Sequence, residues 1–252
     1  MDYRILVPVT TTPEHVKVLV DSVRDKTKLI LFNNFDDQEV EKICKRVEGE
    51  GAEVHRHPEN FGVCRSWNYV LRKQITDGFD YSLIMSVSAV FDKKYPVEYF
   101  IERVHEKEQE RKKWWYIVNS KVARHCFVNT RLYIEKFGLF DENFYPAYYD
   151  DTDLEYRHKI ISEREDVRDM VYDFNEDFVN SIKYSMAINS DIRLLHHFQS
   201  NAERIIRYYI RKWGGQPGSE KWKHPYNNPD NDINFWEIEK GVEFVKLMGK
   251  YE

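Results

Sequence analysis

Carboxylates cluster in one segment of the chain, residues 137–157, which reads FGLFDENFYPAYYDDTDLEYR. From Asp150 onward the spacing is helical, and Asp153 is placed to pair with Arg157 one turn later. Asp150 and Asp151 then lie at the start of the predicted helix, where free N–H groups and the helix dipole keep a carboxylate ionised. The segment therefore offers a deprotonated base at neutral pH. A capped, salt-bridged helix start explains the same residues without any chemistry.

The composition limits the classes of protein. The 252 residues fit one large domain or two small ones, with 32% charged residues and a mean hydropathy of -0.69. No apolar run approaches the roughly 20 residues that cross a bilayer, and the opening MDYRILVPV is strand-like and not typical of a signal peptide. The net charge of -5 argues against nucleic acid as a partner.

The cysteines carry no metal or disulfide signature. Cys44, Cys64 and Cys126 are odd in number, far apart and without CxxC spacing. We expect buried or free thiols in a reducing compartment, and hence a cytoplasmic protein.

Strands and helices alternate through the first half. The pattern predicts strands at residues 3–9, 28–32, 53–57 and 81–87, and helices at 14–24, 36–50 and 63–75. This order is typical of a parallel sheet with right-handed crossovers, in which ligands bind beyond the carboxyl ends of the strands. The Gly-rich fingerprints GxGxxG and GxxxxGK[ST] are missing from the sequence.

The second half is predicted to be smaller and mixed. A polar helix at 97–113 precedes strands at 114–119 and 122–128. After Trp213 a Gly- and Pro-containing segment leads to an amphipathic helix at 234–248, which we expect to pack back on the domain.

Four motifs in order now carry a family resemblance: ILVPVTT at 5–11, LILFNNFDD at 29–37, NFGVCRSWN at 60–68 and the acidic segment at 137–157. The chain resembles the family 2 glycosyltransferases. His196 and His197, followed by Ser200, are similar to the late histidine motif of that family. The resemblance implies an α/β GT-A fold, a Rossmann-like, mostly parallel sheet with flanking helices and a smaller, mixed acceptor-side half. Residues 1–215 would form the catalytic domain and 216–252 a C-terminal extension.

The resemblance also implies an activity: inverting transfer of a sugar from a nucleotide-sugar, UDP-sugars being favoured in the family, to a hydroxyl of a glycan or other acceptor. Asp151 takes the role of general base, with Asp150 beside it. The residues implied in nucleotide-sugar binding are Pro8, Val9, Thr10, Thr11, Asn33, Asn34, Asn60, Gly62, Arg65, Asn68, Ser86 and Ser88.

One motif departs from the family. An acidic DxD element usually holds Mn²⁺ or Mg²⁺ after the fourth strand, but here the sequence is Ser86-Val87-Ser88. Hydroxyls are weak ligands for a hard divalent ion. We therefore predict weak or unusual metal dependence, with His197 and then His196 as metal ligands. The cations that could stabilise the departing diphosphate are His197, Arg65, Lys93 and Arg124.

Other interpretations stay open. Asn60 and Gly62 fit an ordinary turn, Asn68 could simply bond a loop, and Trp67 fits a core position. For the whole chain, a GT-A-fold binding protein that has lost catalysis is the main alternative. A nucleotidyltransferase is a weaker one, because VPVTTTPEH lacks the Gly- and Lys-rich loop expected after its first strand.

Overall fold

The computed structural model describes residues 1–9, 12–34, 36–57, 60–91, 94–111, 115–117, 126–164, 171–174, 179–181 and 192–231. The strands are β1 Tyr3–Val9, β2 Leu29–Asn33, β3 Glu53–Arg56, β4 Tyr81–Met85, β5 Ala89–Phe91, β6 Trp115–Ile117, β7 Cys126–Thr130, β8 Val171–Asp173 and β9 Val179–Ser181. The helices are α1 Pro13–Ser22, α2 Gln38–Gly49, α3 Val63–Asp77, α4 Val97–Arg111, α5 Arg131–Phe137, α6 Asp150–Arg164 and α7 Ile192–Trp213.

In the part of the chain that the structure describes, seven strands form one sheet in the order β3-β2-β1-β4-β7-β6-β8. The first four run parallel, β7 is antiparallel to both β4 and β6, and β8 is parallel to β6. A separate antiparallel pair joins β5 to β9. In the register of the main sheet, Val9 lies opposite Asn33 and Asn33 opposite Arg56, so three carboxyl ends meet at one edge.

β2 and β4 are buried along their whole length because helices cover both faces of the sheet. On one face the strands pack with Val16, Val40 and Phe100, from α1, α2 and α4. The other face packs with residues of α3, α5, α6 and α7, such as Leu71, Ile134, Leu154 and Ile205. Burial on two sides explains why these strands read as continuous apolar runs in the sequence.

The predicted fold class is confirmed, with small shifts at the ends of elements. The predicted fourth strand, 81–87, ends at Met85, since residues 86–88 turn toward β5 and Ala89 N–H bonds the Ser86 carbonyl at 3.0 Å. The strand predicted at 122–128 is described from Cys126 to Thr130. The helix predicted at 234–248 lies outside the described residues.

The described part of the tail contacts the end of α7. The backbone N–H groups of Lys221 and Trp222 donate to the Trp213 carbonyl, at 3.0 and 3.1 Å. The Tyr156 hydroxyl of α6 donates to the Trp222 carbonyl at 2.9 Å. The division at residue 215 stays a prediction.

All three cysteines are buried and free, as the sequence predicts. None of the helices within the described ranges has the length and apolarity that a membrane span requires.

Candidate active site

Two buried asparagines end β2 at the carboxyl edge of the sheet. Asn33 and Asn34 are 4% and 2% exposed. The Asn33 amide donates to Glu41 Oε2 at 3.2 Å and the Asn34 amide lies 3.5 Å from Ser66 Oγ, while neither side-chain oxygen has a partner among the residues described. A buried polar atom without a partner costs about 1–3 kcal/mol, so both oxygens mark a place where a donor group of a ligand fits.

An aromatic stack lies beside Asn33. The backbone N–H of His57 donates to the Asn33 carbonyl at 2.8 Å, and its ring stacks on Phe61 with centroids 4.0 Å apart. The Arg65 guanidinium lies over Phe61, 5.9 Å from the ring centre. Burial and the neighbouring His55 lower the pKa of His57, so its imidazole is neutral at pH 7. The edge thus carries flat ring surfaces next to a buried amide.

The loop before α3 is a tight turn, as one interpretation of the sequence has it. Asn60 Oδ1 accepts from the Gly62 N–H at 2.9 Å, and Gly62 has φ +85°, a left-handed conformation that favours glycine. A Cβ at Gly62 would lie 2.8 Å from the Tyr145 ring. Glycine is therefore required both by the backbone and by the close approach of Tyr145.

This turn connects the carboxyl edge of the sheet to the acidic segment. The Tyr145 hydroxyl donates to the Asn60 carbonyl at 2.8 Å, and the Val63 N–H donates to the Pro146 carbonyl at 2.9 Å. Four residues after Pro146, α6 begins at Asp150. The sheet edge and the N-terminus of α3 therefore contact the loop that leads into α6.

The first turn of α6 holds the predicted base. Asp150 is 5% exposed, whereas Asp151 is exposed, and its Oδ1 accepts from the Thr152 N–H at 2.8 Å. Asp150, Asp151 and Asp153 all lie in this turn, where the helix dipole stabilises negative charge. The predicted pairing of Asp153 with Arg157 is confirmed, with Oδ2 and Nε 3.1 Å apart, but both side chains are fully buried.

A buried ionic cluster lies beneath that turn: Asp141, Asp153, Arg157 and Lys212. Lys212 Nζ is 2.8 Å from Asp141 Oδ2 and 2.6 Å from Asp153 Oδ1, so one cation of α7 bridges two buried carboxylates. Tyr208 and Trp213 add hydrogen bonds to Asp141 and Asp153, at 2.6 and 2.8 Å. The charges of the two carboxylates balance those of the two cations, and such pairing is needed when charged groups are buried.

Asn68 belongs to this support and not to the open edge. It is 1% exposed; its amide nitrogen donates to the Phe140 carbonyl and to Glu142 Oε1, both at 2.8 Å, and its oxygen accepts from the Phe140 N–H at 2.9 Å. The side chain thus fixes the acidic segment against α3. Arg65 and Arg72 also approach Glu142, with N–O distances of 3.6 and 2.8 Å.

The serine turn and the histidines offer few metal ligands. Ser86 Oγ and Ser88 Oγ lie 2.9 Å apart and Ser88 is 2% exposed, so the two hydroxyls bond each other. His196 is exposed on α7. Within the described ranges, three or more His, Cys, Asp or Glu side chains nowhere gather as metal ligands would.

The other predicted site residues fall into two groups. Pro8 and Val9 end β1 at the same edge, and Val9 accepts a backbone bond from the Asn34 N–H at 3.0 Å. The remaining predicted residues lie outside the described residues or side chains: Thr10, Thr11, Lys93, Arg124 and the His197 side chain.

The sequence reasoning missed the residues that act across elements. The sequence pattern does not single out His57, Tyr145 or Lys212, although the first two contact the edge and its turn and Lys212 holds the start of α6. Their partners are distant in sequence, and Lys212 lies 71 residues from Asp141. An apolar helix face interrupted by Lys212 next to Trp213 was the one available signal.

A groove of about 670 Å³ lies elsewhere, at the amino end of β4. Tyr81 lines it and hydrogen-bonds His105 and Glu108 of α4. Parallel sheets bind ligands at the opposite edge, so this groove is separate from the candidate site.

Comparison with known proteins shows the fold. No family model and no curated protein sequence matches the chain. Among solved structures, S. aureus TarS 1-349 in complex with UDP superposes with a TM-score of 0.54 at 10% identity, over 83% of this chain and 72% of that one. The same protein with UDP-GlcNAc gives 0.52 at 9% identity, over 83% and 73%. GalNAc-T7 with UDP, GalNAc and Mn²⁺ gives 0.56 at 9% identity, over 97% and 57%.

These likenesses establish a GT-A-type, Rossmann-like architecture for this chain. This chain covers 59% of the length of another TarS 1-349 structure and 44% of the length of a longer TarS structure.

Proposed function

We propose that this protein is a nucleotide-sugar-dependent glycosyltransferase that moves a sugar to an acceptor hydroxyl with inversion. The observation that carries the proposal is the pair of buried oxygens of Asn33 and Asn34, which lack partners among the described residues. They lie at the edge that contacts the loop leading into α6, the helix that carries Asp151. Solved structures of the same architecture that hold UDP or UDP-GlcNAc support this choice of ligand.

The nucleobase is placed against Asn33. Because Glu41 accepts from the Asn33 amide nitrogen, the side chain offers its oxygen as an acceptor. A base with a ring N–H on its pairing edge, such as uracil, thymine or guanine, satisfies that oxygen; in cytosine the ring nitrogen is an acceptor and only the exocyclic amino group donates. The rings of His57 and Phe61 supply a flat surface at the same place.

The transfer step is assigned to the start of α6. Asp151, exposed at a helix N-terminus, takes the proton of the acceptor hydroxyl as that oxygen bonds the anomeric carbon. The bond from the anomeric carbon to the diphosphate breaks on the opposite face, and the nucleotide diphosphate leaves with the electron pair. Attack opposite to departure inverts the configuration.

A resident divalent ion does not fit the serine turn. Ser86 and Ser88 offer neutral hydroxyls that already bond each other, whereas Mn²⁺ and Mg²⁺ prefer carboxylate oxygens. We derive no step through a metal. Among the described cations, Arg65 is the one stacked on the edge, and we assign it to the diphosphate. A weak ion held by His197 or His196 together with the nucleotide stays a secondary proposal.

The serine turn also favours a second function, a GT-A-fold protein that binds a nucleotide-sugar without turning it over. A protein of this fold that no longer catalyses transfer would not need to keep the acidic motif. Tight nucleotide binding with neither transfer nor hydrolysis of any donor would identify this function.

The test is calorimetric titration with UDP, dTDP, GDP, CDP and ADP and with their sugar conjugates. We expect one class to bind, and the variants Asn33→Ala and Arg65→Ala to weaken it by about 10–100-fold, the value of a hydrogen bond to a charged or buried group. Gln38→Ala, an exposed amide at the start of α2, is the matched control and leaves affinity unchanged. Equal affinity in all variants would place the nucleotide elsewhere.

A further inference from the structure

We propose that Glu41 is a positioning residue that sets the base specificity of this protein: held by Arg56, it fixes which end of the Asn33 amide meets the nucleobase. The inference rests on the proposed function, because it assigns a residue behind the nucleotide contact that decides which base fits. Its evidence is a chain of hydrogen bonds that joins the end of β2 to β3 and α2.

The two polar atoms of the Asn33 amide have different surroundings. Nδ2 donates to Glu41 Oε2 at 3.2 Å, whereas Oδ1 is buried and has no partner among the residues described. Turning the amide over would bring Oδ1 against a carboxylate oxygen, and both atoms are acceptors. Glu41 therefore keeps Oδ1 as the end of the amide that is left for a ligand.

The Glu41 carboxylate is itself fixed by Arg56. Arg56 lies opposite Asn33 in the register of β2 and β3, and its Nε donates to the two Glu41 oxygens at 3.0 and 3.1 Å. The other two guanidinium nitrogens donate to the two oxygens of Glu48, at 3.0 and 2.7 Å. A guanidinium shared by two carboxylates forms a network, which holds its members better than an isolated surface ion pair does.

The backbone of Glu41 is held as well. The Asp37 carboxylate caps α2 by accepting from the N–H groups of Glu39 and Val40, both at 3.1 Å. The Glu41 N–H donates to the Asp37 carbonyl at 2.9 Å. The first turn of α2 is thereby closed, and the carboxylate that orients Asn33 projects from a capped helix.

A fixed amide selects bases by their ring nitrogen. Uracil, thymine and guanine carry a ring N–H on the pairing edge, whereas cytosine and adenine carry an acceptor at that position. With Oδ1 of Asn33 fixed, the first group gains a hydrogen bond and the second leaves two acceptors facing each other. An amide that turned freely would offer Nδ2 to cytosine or adenine, and the discrimination would be lost.

The test is calorimetric titration of the intact protein with UDP, dTDP, GDP, CDP and ADP. The quantity compared is the ratio between the affinity of the tightest diphosphate and that of CDP. Glu41→Gln keeps the size of the side chain but presents either end of its own amide to Asn33, so the ratio should fall about tenfold. Glu39→Gln removes the same charge from the exposed side of α2, where Glu39 pairs with Lys42, and is the matched control with an unchanged ratio.

Two further variants separate positioning from other roles. Arg56→Met releases the Glu41 carboxylate without altering it, and should lower the ratio in the same direction by a smaller factor. In an Asn33→Ala background, Glu41→Gln should no longer change the ratio, because no amide is left to orient. A ratio also cancels the uniform gain in affinity that loss of a negative charge gives to any anionic nucleotide.

An unchanged ratio in Glu41→Gln, or in Arg56→Met if the first variant does not fold, would overturn the positioning role and leave the proposed function intact. So would a wild-type protein that binds CDP or ADP most tightly. A fall in the ratio that persists in the Asn33→Ala background would also overturn it, since Glu41 would then act on the base directly. If no nucleotide binds the wild type, the proposed function fails together with this inference.

Discussion

The acidic segment divides into two parts with opposite environments. Asp141 and Asp153 are fully buried and share Lys212, whereas Asp151, two residues before Asp153, is exposed at the start of α6. Neighbouring carboxylates on one helical turn therefore have different structural roles. The buried pair holds α6 against α7, and the exposed one is the carboxylate that we propose as the base.

This division explains how an exposed acid can be held in place. Asp151 bonds locally to the backbone and hydroxyl of Thr152. Its position depends on the helix that carries it, and that helix is fixed by Asp153 and Arg157, whose guanidinium donates to the carbonyls of Phe137 and Leu139. Substitutions in the two parts should consequently separate chemistry from stability.

The largest expected effect is on turnover. Asp151→Asn removes the base but keeps the shape, so turnover of the donor should fall by about 10²–10⁴, the usual contribution of a general base. Nucleotide affinity by calorimetry and the thermal unfolding midpoint should stay close to wild type. Near-normal transfer by this variant would show that Asp151 is not the base.

The next effect is on stability. Lys212→Met leaves Asp141 and Asp153 buried without their shared cation, which should lower the free energy of unfolding by about 3–5 kcal/mol in urea denaturation. Lys221→Met, an exposed lysine in the tail, is the matched control and should change it by less than about 0.5 kcal/mol. Equal stabilities for the two variants would mean that the buried cluster does not hold α7.

A smaller loss is expected at the contact between α3 and the acidic segment. Asn68→Ala leaves the Phe140 backbone groups buried without partners, so it should lower the free energy of unfolding by about 2–3 kcal/mol. Asn228→Ala, an exposed asparagine, serves as the control. If Asn68→Ala unfolded like wild type but lost nucleotide affinity, Asn68 would be a ligand contact and not a support.

The accessibility of the Cys64 thiol reports on the buried part of the acidic segment, and measuring it needs no substrate. Burial and then the nearby charges of Asp150 and Asp141 raise its pKa well above the ordinary value, so it is a protonated, inaccessible thiol in the folded protein at pH 8. Alkylation by iodoacetamide, located by mass spectrometry, should be slow at Cys64 and faster in Lys212→Met. Rapid labelling of the wild type would contradict the burial of this block.

The smallest effect concerns metal. Since Ser86 and Ser88 provide no carboxylate, exhaustive EDTA treatment should change nucleotide affinity by less than about tenfold, and Mn²⁺ titration should show binding mainly together with nucleotide. Activity that depends strictly on a tightly bound, co-purifying metal would refute this.

The sequence predicts the sheet well because its signals are local. Burial on both faces makes β1, β2 and β4 apolar runs, and the helices between them show their periodicity directly. The turn at Asn60–Gly62 is likewise visible, since glycine there is required by a positive φ.

The site is predicted only in part, for a physical reason. Whether Asp153 or Asp151 faces solvent depends on Lys212 and Trp213, which reach α6 from about 60 residues away. The spacing shows that Asp153 can pair with Arg157, but not that the pair is buried. The contact between the Tyr148 and Phe198 rings is equally nonlocal, joining a loop to a helix 50 residues later.

The central claim is that a nucleotide-sugar binds at the carboxyl edge of the sheet. The most direct test is hydrogen–deuterium exchange of the intact protein with and without the nucleotide that calorimetry ranks first. The account predicts slower exchange in peptides that contain Asn33–Asn34 and Asn60–Arg65, with no change around Tyr81 and His105 at the opposite edge. Protection confined to the groove at Tyr81 and His105, with none at Asn33–Asn34, would contradict it.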